Sequence, residues 1–565
     1  MIRKAINPLN QVEPRRGGKL LLELLESEGV EYVFGNPGTT ELPFIDALID
    51  SPAVKYIWGL QEASVVAMAD GYTQAAKRPG FVNLHTAGGL GHGLGNLLNA
   101  SVSGTPMVVT AGQQDSRHSI TDPLLFGDLV RIATPAVKWA QEVHSPEHLP
   151  ILIRRAFQDC AGVHPGPVFL SLPMDVMEEM TTIPVPEKSY VDRRPIAGSL
   201  DRLADELAVF KPGKILIVAG DEISYHEAAA ETVELAELLG APVYGSSWPA
   251  HIPYPTSHPL WCGNLPTKAS EIAEVVEGFD CVLALGGKSF ITILYTEGSA
   301  LPEHCELFQL SIDGRDLGRS YPTKLSLIGD IQKSLQVLNG LLAQRLGDRA
   351  DQHAALLKNA RLKRQQQREQ LNRNVDQLLS LDYIHPLVAA QQMARGIGPE
   401  TPIVDEAVVT SFHLRDFLNS NSTRQYHFLR GGALGWGMPA AVGYSLGSGK
   451  EPVVSLVGDG AALYSPQALW TAAYEKLPVT FVVMNNREYN ILKNFMRSQE
   501  HFNSAQQNRF IAMDINDPPI DFLSMAESMG VPASRVDSVG DIADAIQAGI
   551  QSGKPNLIEI PVAEK

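Results

Sequence analysis

Two polar side chains in the last quarter of the chain have the types and the spacing of ligands for a divalent metal. Asp459 follows the apolar run VVSLVG, and Asn486 follows the next apolar run, VTFVVMN. Because one β-α-β step brings the carboxyl ends of two parallel strands to the same sheet edge, we expect these side chains to lie close together. Carboxylate and amide oxygens suit Mg²⁺, which takes its other ligands from phosphates and water. Gly458 and Gly460 would let the backbone approach a diphosphate, and the following helix could offer its amides.

Two glycine-rich segments could also form a phosphate site. Gly435, Gly437 and Ala440 form a GxGxxA pattern, which is typical of dinucleotide-binding proteins. Pro439 interrupts this pattern, and no acidic residue is convincingly placed to bind a ribose. The segment HTAGGLGHGLGN (85–96) is rich in glycine but contains no GxGxxG. The metal and diphosphate interpretation is therefore preferred. The middle part of the chain contains no convincing phosphate loop, so no flavin is expected.

A glutamate in the first part of the chain has the surroundings of a buried acid–base group. Glu62 stands in GLQEASVVAMADGYTQA, where a strand gives way to an apolar helix with small residues. Burial disfavours the charged form of a carboxyl group, so a buried glutamate can share a proton with a ring nitrogen near neutral pH. Taken alone, the position of this residue favours a carboxylate that caps the positive end of the helix.

These groups need parallel sheets to position them. Apolar runs rich in β-branched residues alternate with stretches of helical periodicity, which is the pattern of parallel sheets covered by helices. We predict an α/β fold with three doubly wound parallel-sheet domains, over residues 17–182, 196–342 and 377–565. The predicted strands are 32–34, 81–85, 107–110 and 168–172 in the first domain, 215–218, 243–245, 281–285, 307–312 and 325–328 in the second, and 403–404, 453–460, 479–486 and 557–560 in the third.

Two polar stretches separate these domains. Proline and charge accumulate in IPVPEKSYVDRRP (183–195), which is typical of a linker. The run 345–376 includes ARLKRQQQREQ and is predicted to be an exposed linker helix. Its basic residues would also suit nucleic acid, but a solvated helix is the simpler interpretation.

Composition limits the classes of protein to consider. The 565 residues carry a formal charge of −17, which repels nucleic-acid phosphates and anionic lipid surfaces. The four cysteines show no CxxC spacing, so neither a disulfide framework nor a zinc site is expected. The chain contains no run of roughly 18 apolar residues and no apolar secretion signal near its start. We predict a cytoplasmic protein that binds neither nucleic acid nor membrane.

Seven segments together resemble one family and decide between these interpretations. They are GNPGTTELPF (35–44), QEASVVAMADGY (61–72), NLHTAGG (83–89), VTAGQQ (109–114), GGALGWGMPAAVG (431–443) and the pair GDG and NN. In content and order they resemble the thiamine diphosphate-dependent 2-oxo acid decarboxylase and acetolactate synthase superfamily, and they look most like benzoylformate decarboxylase. The resemblance covers nearly the whole chain after residue 17.

The resemblance implies how the cofactor and its metal would be bound. Glu62 would activate thiamine diphosphate, while Asp459, Asn486 and the main-chain carbonyl of Glu488 would bind Mg²⁺. The further cofactor contacts that it implies are Glu406 near the entrance of the site, the Gly432 carbonyl on the aminopyrimidine, Leu434 beneath the bent cofactor, and Gly458, Gly460, Ala461 and Tyr489. In this family the aminopyrimidine lies on the first domain of one subunit and the diphosphate on the third domain of its neighbour. The resemblance therefore implies a homodimer as the minimum unit, and we expect a homotetramer.

The resemblance also implies a reaction, the non-oxidative decarboxylation of a small 2-oxo acid. His85 matches a histidine of benzoylformate decarboxylase and would be the acid that leads to release of an aldehyde. Thr39 takes the place of a serine that contacts the substrate carboxylate in the relatives, and it keeps the same hydrogen-bonding capacity. Both residues would also line the substrate pocket.

One position departs from the family pattern. Ile293 stands where benzoylformate decarboxylase has a second active-site histidine, and isoleucine cannot relay a proton. Ile491 and Phe495 would line the substrate pocket, where the branched Ile491 would favour aliphatic groups over an aromatic ring. We predict a thiamine diphosphate-dependent decarboxylase that releases an aldehyde. The alternative is a carboligase of the acetolactate synthase kind, which makes acyloins or acetohydroxy acids.

Overall fold

Three six-stranded sheets form the framework of the protein, and every strand pairing within them is parallel. The computed structural model describes residues 13–347 and 350–563. These residues form two compact units. The first unit runs to Val191 and also includes Gly431–Glu451 and Tyr464–Leu477, and the second comprises Asp192–Arg430, Pro452–Leu463 and the chain from Pro478 onward.

The first sheet belongs to the first unit. In spatial order its strands are Lys55–Trp58, Tyr32–Gly35, Gly80–His85, Met107–Gln113, Pro167–Pro173 and Ala140–Glu142. The longer helices of this unit are Gly17–Glu28, Glu62–Ala76, Thr86–Ser103, Leu149–Cys160, Gly437–Gly447 and Ala468–Glu475. All seven residues of each of two central strands are buried, as expected for parallel strands covered on both faces.

The second unit contains the other two sheets. The middle sheet has the strand order Trp261–Asn264, Val243–Gly245, Ile215–Ala219, Cys281–Leu285, Glu306–Ser311 and Leu325–Ile328, and the third sheet has Tyr426–Phe428, Ile403–Glu406, Val453–Gly458, Val479–Asn485, Asn556–Pro561 and Ala533–Arg535. The helices of this unit include Leu200–Ala208, Ala229–Leu239, Ala269–Val276, Ile331–Leu346, Ala350–Leu378, Pro386–Ile397, Val409–Phe417, Asp459–Ala462, Asn490–Arg497, Asn503–Gln507, Phe522–Ser528 and Ile542–Gln551. One apolar cluster continues through both sheets, from Leu283 and Phe308 to Leu456 and Val482.

The predicted α/β fold with three parallel sheets is confirmed, while the predicted domain boundaries stay predictions. Within the three six-stranded sheets, five strands had no predicted range, and each of them lies at the edge of a sheet: Lys55–Trp58, Ala140–Glu142, Trp261–Asn264, Tyr426–Phe428 and Ala533–Arg535. The predicted linker helix occupies Ala350–Leu378, and Arg345 instead lies in the last turn of the preceding helix. No helix in the described part of the chain is long and apolar enough to cross a membrane.

The GxGxxA pattern has a packing role within the first unit. Gly437 and Ala440 of this pattern lie in the helix Gly437–Gly447, which packs on the helix Glu62–Ala76. A Cβ atom at Gly71 would overlap the main-chain oxygen of Ala440, and one at Gly443 would overlap that of Met68. The indole of Trp436 also donates a hydrogen bond of 2.9 Å to the buried carboxyl of Asp70. Close contact between two backbones explains why small residues recur here.

Candidate active site

Glu62 begins the helix Glu62–Ala76, and its side chain is only 12% exposed. The preceding residue, Gln61, caps the helix by accepting a hydrogen bond of 3.0 Å from the Ser64 amide. Glu62 is therefore not the capping residue. Its Oε1 accepts a hydrogen bond of 3.1 Å from the Asn36 amide, and its Oε2 lies 3.1 Å from Nδ1 of His92. Both oxygens of this carboxyl group are thus held by side chains.

His85 lies in a network with the two residues that follow Thr39. It ends the strand Gly80–His85, and its Nδ1 lies 3.0 Å from Oε2 of Glu41 and 3.0 Å from the Thr40 hydroxyl. The carboxylate of Glu41 is 1% exposed and also accepts hydrogen bonds from the Thr40 hydroxyl and the Gly38 amide. The hydrogen bond to Glu41 raises the pKa of His85, and burial opposes this effect only in part.

Two glycines make room for this network. A Cβ atom at Gly38 would overlap the imidazole of His85, and a Cβ atom at Gly112 would overlap the Glu41 carboxylate and the Thr40 hydroxyl. Sheet register brings Gly112 to this place, because it is the partner of His85 on the neighbouring strand. The network therefore depends on the small residues of GNPGTTELPF and VTAGQQ, and the strand pairing aligns them.

A buried phenol lies close to the same carboxyl groups. The Tyr56 hydroxyl has no hydrogen-bond partner among the described residues. Burial raises the pKa of Tyr56, and the negative charges of Glu41 and Glu62 raise it further. Tyr56 therefore stays protonated and can donate a hydrogen bond. A strand was expected before Glu62, but nothing in its sequence singled out Tyr56.

The turn that contains Gly432 and Leu434 belongs to the same unit as Glu62. The Asn99 side chain exchanges two hydrogen bonds with the main chain of Ala433, at 2.7 and 3.0 Å. The Asn96 amide donates to the Gly435 carbonyl at 3.3 Å and to the Ala63 carbonyl at 2.8 Å. The helix Thr86–Ser103 thus ties this turn to the start of the Glu62 helix. Gly432 has a φ of +82°, which glycine adopts without strain.

In the second unit, the predicted metal ligands meet at the carboxyl edge of the third sheet. Gly458 is paired with Met484, so Asp459 and the Asn485–Asn486 pair follow neighbouring strand ends. The carboxylate of Asp459 accepts hydrogen bonds from the amides of Gly460 at 2.8 Å and Arg487 at 2.6 Å. Burial raises the pKa of Asp459 to about 6. Glu406 ends another adjacent strand and is 1% exposed.

The loop after Asn486 is held mainly by backbone and buried polar contacts. The Asn485 side-chain amide donates a hydrogen bond of 2.6 Å to the buried Glu559. The Asn486 side-chain oxygen accepts a hydrogen bond of 3.1 Å from the main-chain amide of Glu488. Gly460 and Ala461 lie in a helix of only four residues, and Gly460 leaves room for the ring of Tyr489.

Lys493 joins the same loop to a segment further along the chain. This lysine is 6% exposed and forms ion pairs with Glu488 and, at 2.6 Å, with Asp514. The backbone adds two hydrogen bonds, from Tyr489 to Met513 at 2.8 Å and from Ile515 to Arg487 at 2.7 Å. Part of the polar segment 498–519 therefore contacts the loop that follows Asn486.

Three non-glycine residues near these groups have a positive φ. They are Thr86 at +48°, Val408 at +52° and Arg487 at +58°. Thr86 directly follows His85, and Arg487 directly follows Asn486. Positive φ is unusual for any such residue and is a clear outlier for β-branched Thr86 and Val408. Strain of this kind is concentrated at functional sites.

Three family models match this chain, and their descriptions name one cofactor. They are the thiamine pyrophosphate enzyme N-terminal TPP binding domain at residues 15–125, the central domain at 200–338 and the C-terminal TPP binding domain at 409–560. Benzoylformate decarboxylase of Pseudomonas aeruginosa is 30% identical over 549 residues, which cover 95% of this chain and 97% of that protein. The chain belongs to the thiamine pyrophosphate enzyme family.

Other relatives of this thiamine pyrophosphate enzyme carry two kinds of name. Acetolactate synthase 1 of Nicotiana tabacum is 26% identical over 562 residues, which cover 97% of this chain and 82% of that protein. A solved thiamine diphosphate-dependent 4-hydroxybenzoylformate decarboxylase from Rhodococcus jostii is 28% identical, with a TM-score of 0.85. The match covers 98% of this chain and 100% of the chain of that decarboxylase. Decarboxylases and acetolactate synthases are thus both similar to this enzyme.

The donor set of the second unit fits a magnesium ion and a diphosphate. No group of three or more His, Cys, Asp or Glu side chains within residues 13–347 and 350–563 could hold a metal. The predicted set needs only one such side chain, because its other donors are the Asn486 amide oxygen and the Glu488 carbonyl. Hard oxygen donors with remaining positions for phosphate and water are the coordination that Mg²⁺ prefers.

The remaining predicted residues are divided between the two units of this thiamine pyrophosphate enzyme. In the second unit, Ile491 and Phe495 are half-buried and share one face of the helix Asn490–Arg497, being four positions apart. Ile293 is 45% exposed, and its amide donates to the Thr267 carbonyl at 2.9 Å. In the first unit, Thr39 is exposed at the start of the turn Thr39–Glu41.

Proposed function

We propose that this enzyme decarboxylates a 2-oxo acid to an aldehyde without oxidation, with thiamine diphosphate and Mg²⁺. The observation that carries the proposal is the hydrogen bond between His85 and the buried Glu41, in the same unit as Glu62. Release of an aldehyde needs a proton donor near the reacting carbon, and a histidine with a raised pKa is suited to that task.

The cofactor brings the chemistry that amino-acid side chains lack. Thiamine diphosphate, when bound, supplies a nucleophilic carbon for the 2-oxo group and accepts the electron pair that carbon dioxide leaves behind. Asp459, Asn486 and the main-chain carbonyl of Glu488 would hold Mg²⁺. Glu406, Gly432, Leu434, Gly458, Gly460, Ala461 and Tyr489 are the further proposed cofactor contacts.

Glu62 would exchange a proton with the aminopyrimidine ring. Its small exposed fraction limits the access of water to the carboxyl group, and Asn36 and His92 fix the direction of its two oxygens. A fixed carboxyl group loses little entropy when a ring nitrogen binds to it. The two neighbours would therefore orient the group without replacing it in the proton transfer.

His85 would donate the proton that leads to the aldehyde. Glu41 holds Nδ1, so Nε2 is the ring nitrogen that remains for the substrate. Because the carboxylate of Glu41 stabilises the protonated ring, a larger fraction of His85 carries the proton at neutral pH. Thr39 would bind the substrate carboxylate through its hydroxyl.

A carboligase of the acetolactate synthase kind is the second candidate, and Ile293 favours it. An isoleucine cannot donate a proton, so the substrate pocket would have one acid fewer than that of benzoylformate decarboxylase. If the reacting carbon is protonated slowly after carbon dioxide has left, it would have more time to form a bond to a second carbonyl. That bond gives an acyloin or an acetohydroxy acid. Ile491 and Phe495 support an aliphatic substrate for either reaction.

Product analysis tests the proposal and separates it from the alternative. Protein supplied with thiamine diphosphate and Mg²⁺ receives a panel of aliphatic and aromatic 2-oxo acids. Carbon dioxide release is followed, and the organic products are identified by mass spectrometry. Aldehyde as the main product supports the decarboxylase, whereas acyloins or acetohydroxy acids establish the carboligase. If no 2-oxo acid releases carbon dioxide, both functions are wrong.

Assembly and location complete the proposal. A homodimer as the minimum unit, assembly to a homotetramer and a cytoplasmic location all remain predictions. Sedimentation at several protein concentrations tests the first two, and a chain that stays monomeric with full activity would refute them.

A further inference from the structure

A basic cleft of ≈ 300 Å³ lies in the second unit. Three elements form it: the edge strand Trp261–Asn264, the helix Ala350–Leu378 and the helix Val409–Phe417. None of its lining residues is among the proposed cofactor, metal or substrate contacts. The lining includes Trp261, Arg364, Arg368, Leu371, Arg415 and Asp416.

Arg415 is the most buried of the three arginines, with only 8% of the residue exposed. Its guanidinium lies 4.9 Å from the centre of the Phe412 ring and 5.4 Å from that of Phe428. Its Nε donates a hydrogen bond of 3.3 Å to the Ser411 carbonyl, but its Nη1 is buried and has no hydrogen-bond partner among the described residues. A buried charged donor without a partner is costly, and the guanidinium that carries this donor belongs to a side chain that lines the cleft.

Arg364 and Arg368 lie one turn apart on the helix Ala350–Leu378. Arg364 donates to the carbonyls of His258 at 2.6 Å and Trp261 at 3.2 Å, so its position is fixed and it contributes mainly charge. Arg368 donates to the Asn419 side chain at 2.7 Å and keeps other donors. Burial, and next the charge of Arg368, lower the pKa of Arg364 to about 10. Burial also lowers the pKa of Arg368.

The positive charges in this cleft are balanced only in part by the chain. Burial raises the pKa of Asp405 and Asp416, and the nearby charge of Arg415 opposes this effect. No described carboxylate forms an ion pair with Arg364, Arg368 or Arg415. Asp416 is the one acidic residue of the described lining, so the excess charge is positive although the whole chain carries −17. Arginines that face one cavity without carboxylate partners are suited to bidentate recognition of an anion.

The cleft also changes the interpretation of the basic run ARLKRQQQREQ. The sequence predicted a solvated linker helix, and most side chains of this run are exposed. Arg364 and Arg368 are half-buried exceptions that point to the same cavity. This part of the helix is therefore a wall of the cleft as well as a connection.

We propose that this cleft binds a small organic anion with at least two negative charges, carried by a phosphate or by carboxylates. The apolar Trp261 and Leu371 would contact the organic part, while Arg368 and Arg415 would bind the charged group. Arg364, whose guanidinium is bonded to main-chain carbonyls, adds to the positive potential. The cleft is far larger than an inorganic phosphate ion, which favours an organic ligand.

Calorimetric titration tests this proposal without a need for turnover. The protein is kept in saturating thiamine diphosphate and Mg²⁺ and is titrated with inorganic phosphate, ADP or citrate at constant free Mg²⁺ and ionic strength. We expect ADP or citrate to bind, and Arg368→Gln to weaken that binding by about tenfold or more, because a charge-assisted hydrogen bond is lost. Preference for ADP would assign a phosphate ligand, and preference for citrate a carboxylate ligand.

Arg373→Gln is the matched control. Arg373 lies on the same helix, is exposed, and bonds to Gln370 without lining the cleft. We expect it to bind the anion as the unchanged protein does, and Arg415→Lys, which keeps the charge but loses the planar fork, to bind more weakly. The proposal is wrong if neither organic anion binds, if Arg368→Gln binds normally, or if Arg368→Gln and Arg373→Gln lose equal affinity.

Discussion

The Glu62 region and the Asp459 region are built in different ways. In the first unit, Glu62 and His85 are held by other titratable or polar side chains, above all by Glu41 and His92. In the second unit, Asp459 is held by backbone amides, and strand pairing sets its place beside Asn486. A network of titratable groups responds to pH, whereas backbone donors do not titrate and mainly set geometry. Substitutions in the two regions should therefore have different effects on the enzyme.

The largest effect is expected from Glu62→Gln. This change keeps the shape of the side chain but removes the group that would take a proton, so turnover should fall by about 100-fold or more while cofactor binding stays largely intact. Steady-state kinetics and cofactor titration by fluorescence quenching measure the two effects. Glu31→Gln, which alters a surface ion pair with Arg78 in the same unit, is the control. Turnover within twofold of the unchanged enzyme would refute the role of Glu62.

In the second unit, Asp459→Asn should weaken the binding of Mg²⁺. It replaces the only carboxylate of the proposed metal set, so we expect the affinity for Mg²⁺ to fall by about tenfold or more. Cofactor binding is measured at a fixed concentration of thiamine diphosphate and increasing free Mg²⁺. Asp537→Asn removes an exposed ion pair with Arg535 and should leave the curve unchanged. Equal curves for both variants would exclude Asp459 as a metal ligand.

Lys493→Met should loosen the loop that follows Asn486. It leaves the carboxylates of Glu488 and Asp514 without their common partner, which should favour local opening by about 1.4 kcal/mol, or about tenfold. Tryptic cleavage after the exposed Arg509 reports that opening and can be followed by mass spectrometry. Lys493→Arg keeps the charge and should be cleaved at nearly the original rate. Unchanged cleavage of the Met variant would show that the ion pairs do not hold the segment.

Glu41→Gln should shift the pH dependence of catalysis. Because Glu41 raises the pKa of His85, the protonated ring persists to higher pH in the unchanged enzyme. The fall of kcat/KM on the alkaline side, where His85 loses its proton, should therefore occur at lower pH in the variant. The contribution of the pair of His85 and Glu41 to the stability of the folded enzyme is fully present below the pKa that histidine has in the unfolded chain. It disappears as the pH rises through the raised pKa of the folded state. An unmoved alkaline limb would count against His85 as the acid.

The smallest effect is expected from Arg487→Gly. Glycine accepts the φ of +58° at this position without the clash of a Cβ atom, so the unfolding free energy should rise by about 0.5 to 1 kcal/mol. Arg487→Ala removes the same charge but keeps the Cβ atom, and it should give no gain. Denaturant unfolding in the presence of cofactor measures both. Equal stability of the two variants would show that positive φ is not the source of strain.

The sequence alone determined the fold class, the interior strands and the spacing of the GDG and NN motifs. Each of these rests on a local pattern: a run of apolar residues that is buried on both faces, or glycines beside a polar group at a strand end. The five unpredicted strands all lie at sheet edges, where short and half-exposed segments carry no such run. Interior strands are thus readable from sequence, whereas only one of the six edge strands of these sheets, Leu325–Ile328, was predicted.

Tertiary structure decided the contacts between distant segments. Glu41 contacts His85 because strand register and two glycines bring GNPGTTELPF, NLHTAGG and VTAGQQ together. Glu41 belongs to GNPGTTELPF, but nothing in that segment indicates which residue it contacts. Likewise, Arg364 and Arg415 face one cleft only after the long helix packs on an edge strand. A local pattern encodes which face of an element is buried, but the contacts of a polar side chain depend on elements that are remote in sequence and adjacent only in the folded chain.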